Sequence, residues 1–192
     1  TLLSTTVAII IGIVVSAVMP LLLPPRAFAR RTVDVPAEDA LPFSETVAQR
    51  VEKLCDAATD LVSKIILSLA ALFTVMNIGM VVPDVAIPFW LEIALWIGFT
   101  VYAVLVAIRI TSANDGIEPD ADEQVRNAQL RYQGGMGTYT APNDPMVAAV
   151  LPSNPGKIAV NTAHEPGKRY LRRVILSVVV IPAASMAIAV AS

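Results

Sequence analysis

Apolar positions along this chain gather into four long runs, separated by polar segments of very unequal length. The runs cover residues 2–23, 61–82, 88–110 and 174–191. The first and last carry no charge, the second has Lys64 near its start, and the third has Glu92 near one end and Arg109 at the other. Each is close to the ~20 residues needed to cross a hydrocarbon core of about 30 Å at about 1.5 Å per residue. Lipid offers the backbone no hydrogen-bond partner, so the runs predict helices rather than strands. The expected fold class is an all-α integral membrane protein with four transmembrane helices. They would form a single polytopic membrane domain over 1–192, joined by linkers 24–60 and 111–173 and the short turn 83–87.

The linkers have patterns of their own. In the first, Ser44 is a candidate N-cap with Glu45 in the following turn. Val47, Val51, Leu54, Ala58 and Leu61 then recur at spacings of three and four, one face of a helix. This predicts an amphipathic surface helix before the second span and continuous with it. Its other face, carrying Gln49, Arg50, Glu52, Lys53, Asp56 and Asp60, is solvated or docks a partner. In the second linker, Pro119 suits the first turn of a short helix that ends near Gln133, stopped by Gly134-Gly135. From 134 to 167 the chain is rich in Pro, Gly, Asn and Thr, broken by apolar runs at 146–151 and 157–160. That reads as a long irregular loop before the fourth span, extended chain draped over other protein.

Charge sets the orientation. All fourteen Lys and Arg residues lie in the two long linkers or at the span ends that face them. The turn 83–87 holds only an acid, Asp84. The positive-inside rule puts both linkers on the cytoplasmic or equivalent side, with the termini and the turn opposite. The expected location is a bacterial cytoplasmic (inner) membrane or an organelle inner membrane. A secretory signal peptide competes for the first run, since Ala27-Phe28-Ala29 looks like a cleavage site. The run is too long for an h-region, however, and its arginines follow it, so a retained anchor is expected.

Composition agrees: 55% of the 192 residues are hydrophobic and 16% charged, where soluble domains carry roughly a quarter charged residues. A net charge of −2 gives no field to attract nucleic acid. One cysteine and one histidine exclude a disulfide framework or a Cys/His zinc cluster supplied by this chain alone.

Candidate chemistry is sparse. Asn77 and Glu92 lie at similar depth on either side of the turn 83–87, so the two are expected to meet across a helical hairpin or to contact a partner. Glu92 is otherwise a candidate for an ion or proton pathway. Gly12 and Ser16, and Ala183 and Ala187, are small-residue pairs four apart, a spacing that lets helices approach closely. Lys168, Arg169, Arg172 and Arg173 hold the second linker on the cytoplasmic side and are candidate contacts for anionic lipid headgroups. No catalytic set, cofactor site or metal site can be assembled from the sequence. The acids around Asp120, Asp122 and Glu123 do not follow a calcium-loop pattern, and the glycines at 134–137 match no nucleotide motif. The leading expectation is a non-catalytic accessory or scaffold subunit of a larger membrane complex, whose partners are other membrane subunits and lipid. Two alternatives are a homo-oligomeric channel or transporter using Glu92, and a membrane enzyme with a metal held by Asp120, Asp122 and Glu123.

Overall fold

The structure is a computed structural model and describes residues 18–81, 87–130 and 137–191, with the side chains of 79–81, 111, 180–182 and 184–191 outside that description. The described residues include four helices, α1 (Glu45–Val81), α2 (Phe89–Thr111), α3 (Ala121–Gln129) and α4 (Glu165–Ala191), with three short strands between α3 and α4: β1 (Thr138–Tyr139), β2 (Ala148–Val150) and β3 (Ile158–Asn161). The described residues fall into two compact units. One draws on residues 59–108 and 176–191 with the short 18–22 segment, the other on 23–58 and 109–175.

The first unit is apolar and helical. Two helices are long and apolar enough to cross a membrane: α1, through its second half, and α2 from Phe89 to Ile110. Four such spans were expected, and among the described residues two meet the criterion. The run 2–23 lies mostly outside the described residues, and its last part forms a 3-10 turn at Met19–Leu22. The run 174–191 is helical within α4, which passes through Pro182. Phe73 of α1 meets Trp96 of α2 edge-on, ring centroids 6.1 Å apart. Elsewhere the two helices present large apolar side chains outward: Leu67, Phe89, Trp90, Ile97 and Leu105 are all exposed.

The second unit corrects the all-α, irregular-loop expectation. The two linkers fold together around a small mixed sheet of order β1-β3-β2. β2 and β3 are antiparallel, with Ala149 opposite Ala159, while β1 and β3 are parallel, with Tyr139 opposite Asn161. A bridge from Thr32 to Met146 adds the first linker at the far edge. Successive strand residues point to opposite faces, and here both faces are covered. Val147, Ala148, Val150 and Val160 pack with Val51, Leu54, Cys55 and Phe28; Met146, Ala149 and Ala159 pack with Val47, Ala48, Leu41 and Leu130. The predicted stripe Val47, Val51 and Leu54 is thus a core stripe, each member at most 2% exposed. It packs against the sheet, where an amphipathic surface helix was expected.

Candidate functional site

The polar groups of the mixed unit converge on two linked centres. The first joins the N-termini of α1 and α3. Ser44 caps α1, its Oγ accepting from Val47 N at 3.1 Å, as its place in the sequence predicts. Asp120 caps α3 in the same way, accepting from Glu123 N at 2.6 Å. The two caps are tied together: Ser44 Oγ donates to Asp120 Oδ1 at 3.0 Å, and Thr46 N donates to Asp120 Oδ2 at 3.1 Å. Glu123 accepts from the Thr46 hydroxyl and pairs with Arg50 at 3.3 Å. Burial pushes the Asp120 carboxyl up, but bonds from Glu123 N, Thr46 N and the Ser44 and Thr46 hydroxyls outweigh it and hold it below the usual aspartate value.

The second centre is the most deeply buried in the unit. Arg126 of α3 and Asp144 face each other in a bidentate pair at 2.7 and 2.6 Å, with side chains 1% and 0% exposed. Arg126 also donates to Pro42 O, and Asp144 accepts from the Tyr139 hydroxyl and from Met146 N. Asn161 closes the other side of the 140–147 turn: its Oδ1 accepts from Ala141 N and Ala163 N, and its amide donates to Ala141 O. His164 Nε2 lies 2.7 Å from Asp144 O, so that nitrogen carries the proton and donates. Two buried charges are tolerated because every oxygen of the carboxylate is bonded. The arrangement locks a turn between β1 and β2 and leaves these groups engaged with one another.

This geometry bears on the acidic metal site considered from the sequence. Asp120 and Glu123 spend their oxygens on caps and on Arg50, while Asp122 is exposed. Among the described residues no three His, Cys, Asp or Glu side chains are grouped to hold a metal ion.

The other sequence candidates lie apart. Asn77 donates to Phe73 O on its own helix at 2.7 Å, a back-bond of a type common for polar side chains in apolar helices. Glu92, in the first turn of α2, is half-buried. No hydrogen bond links the two among the described residues. Gly12 and Ser16 lie outside the described residues; Ala183 is exposed on α4, and Ala187 lies on the same helix with its side chain outside the description. Lys168, Arg169, Arg172 and Arg173 are all exposed on α4. Arg169 pairs with Glu165 at 3.0 Å, and the Arg173 guanidinium stands 5.6 Å over the Tyr170 ring.

Three features escaped sequence reading. The Arg126–Asp144 pair joins residues that each look like ordinary loop charges. A cleft of about 470 Å³ draws Arg31 and Phe28 of the first linker together with Arg169, Tyr170 and Arg173. A groove of about 320 Å³ on the α1–α2 hairpin is lined by small and apolar groups, among them Ser68, Ala71, Leu72 and Gly98. For the groove a signal was present, since small residues on apolar helices mark close contacts. For the other two, nothing in the spacing links the partners.

No family model matches this chain, and no curated protein and no solved structure is significantly similar to it.

Proposed function

We propose that this chain is a non-catalytic accessory or scaffold subunit of a larger membrane protein complex. The observation that carries the reading is the groove on the helical hairpin. Its walls are apolar, Ser68 and Ala71 are small, and a Cβ added at Gly98 would meet nothing within 4 Å. Exposed apolar surface with small residues at its centre is what membrane helices use to bring a partner backbone close. The mixed unit supports the same reading, because its most buried acids and its buried arginine, Asp120, Glu123, Asp144 and Arg126, are engaged in caps and ion pairs that hold the fold. On this view both linkers lie on the cytoplasmic side of a bacterial or organelle inner membrane, as the distribution of basic residues predicts.

The test is capture of the full chain through a tag in mild detergent, for the wild type and for Gly98→Leu. The reading expects one or more stoichiometric membrane subunits with the wild type and their loss with the leucine, while the mixed unit stays folded. Equal recovery of partners with Gly98→Leu would remove the groove as the docking site.

A second reading, a small channel or transporter, draws on Glu92, a half-buried carboxylate with no hydrogen-bond partner for its side chain among the described residues. An intramembrane acid is a candidate pathway group. It predicts that Glu92→Gln abolishes flux in reconstituted vesicles without changing assembly, and flux that survives the substitution sinks it.

A further inference from the structure

A cleft lies beside the start of α4, between that helix and the first linker. Arg31 enters it from the strip of first linker that runs beside β2, where its carbonyl accepts from Val147 N at 3.2 Å. Arg169 and Arg173 enter from α4, four residues apart and therefore on one face. The base of that helix is fixed by Gly167: a Cβ there would lie 1.9 Å from Asn161 O of β3, so only glycine lets the helix seat against the sheet. Both walls of the cleft are thus anchored to the same sheet before any ligand arrives.

Between these walls lies an aromatic floor. Phe28 and Tyr170 meet edge-on with centroids 6.0 Å apart. Three guanidinium groups and one carboxylate, Glu165, line the cleft, which leaves it with positive charge in excess. Arg31 is exposed and makes no side-chain ion pair among the described residues. The volume of about 470 Å³ falls within the roughly 300–1,000 Å³ of small-ligand sites. Guanidinium forks match the geometry of phosphate oxygens, and the aromatic rings offer apolar surface to carbon atoms next to that phosphate. Arg173 is followed in the sequence by the apolar run that begins at Val174, and Ile175 is exposed.

We propose that this cleft binds the phosphate of an anionic phospholipid, with Arg31, Arg169 and Arg173 as donors and Phe28 and Tyr170 against the glycerol and first acyl carbons. Arg169 would exchange its partner Glu165 for the phosphate. Lys168 and Arg172, which the sequence groups with Arg169 and Arg173, do not line the cleft. The proposal rests on the membrane location argued above, though not on the accessory-subunit role. A chain that stays in solution without detergent would overturn that location, whereas the titration below addresses the cleft alone.

The experiment titrates the full chain, purified in mild detergent, with phosphatidylglycerol or phosphatidylcholine and counts bound lipid by native mass spectrometry. The first phosphatidylglycerol should bind at least about fivefold more tightly than phosphatidylcholine. Arg31→Gln and Arg173→Gln should each weaken it about fivefold. Arg172→Gln, the same charge change on the same helix, should leave it within about twofold. Glycerol phosphate in comparable amount should not displace the lipid. Equal losses in all three variants would mean diffuse surface attraction and overturn the site. Displacement by glycerol phosphate would make the ligand a soluble phosphate and overturn the lipid assignment.

Discussion

Asp144→Ala is the substitution whose consequences the structure specifies most fully. It removes both carboxylate acceptors of the Arg126 fork, at 2.7 and 2.6 Å, and leaves a guanidinium that is 1% exposed and still donates to Pro42 O. Tyr139 loses its better acceptor and retains Met146 O at 3.2 Å, while Met146 N loses its partner. Breaking a buried ion pair from one side costs about 3–5 kcal/mol, chiefly because the other charge stays buried. The sole cysteine provides the assay: Cys55 is 4% exposed in the core of the same unit, and burial pushes its thiol up to about 11. A thiol reagent therefore reaches it mainly through opening of the unit. At about 1.36 kcal/mol per decade, the substitution should speed Cys55 labelling from about a hundredfold to several thousandfold under native conditions. Asp144→Asn keeps the shape and one acceptor and should fall between wild type and Asp144→Ala. Arg126→Met combined with Asp144→Leu removes both charges and should label more slowly than Asp144→Ala alone. Labelling of Asp144→Ala within about threefold of wild type would mean that the pair contributes almost nothing to the stability of the unit.

The remaining predictions concern the same unit and can share that assay. Gly167→Ala should cost about 1–3 kcal/mol through overpacking, because the new methyl meets backbone at Asn161; an unchanged labelling rate would mean that α4 shifts freely on the sheet. Asp120 has a folded-state pKa below its unfolded value, so it contributes stability above about pH 4 that is lost as pH falls through the lower, folded value. Asp120→Asn should therefore flatten the acid limb of a pH–stability curve, and an identical limb in that variant would show that other carboxylates carry it. Asp120→Ala, which removes the cap altogether, should also cost about 1 kcal/mol at neutral pH, read as a lower denaturation midpoint.

How much of this was legible in the sequence depended on the length over which a pattern persists. The stripe Val47, Val51 and Leu54 repeats over several turns, so its buried face was visible, and Ser44 was recognisable as a cap by its place before that stripe. What the stripe packs against was hidden, because its partners are strands of two to four residues. Ala148, Ala149 and Val150 are buried on both faces, so no alternation of polar and apolar residues marks them. Flanking prolines and glycines then made the segment read as irregular loop. The short helix began close to where Pro119 placed it, at Ala121, but ended at Gln129, before the glycines expected to stop it. The Arg126–Asp144 pair and the arginine cleft were invisible for another reason. Their members are joined only by the tertiary fold, and a charge in a polar linker carries no sign of whether it will be buried. Reading Arg126 and Arg31 only as topology charges followed from treating each linker separately, when the two fold as one unit.

The proposed role as one subunit among others is decided by the native mass of the particle extracted in mild detergent through a tag on the full chain. That role requires a mass equal to this chain plus whole-number copies of one or more different membrane proteins, stable to dilution. A particle that contains only copies of this chain and bound lipid would contradict it.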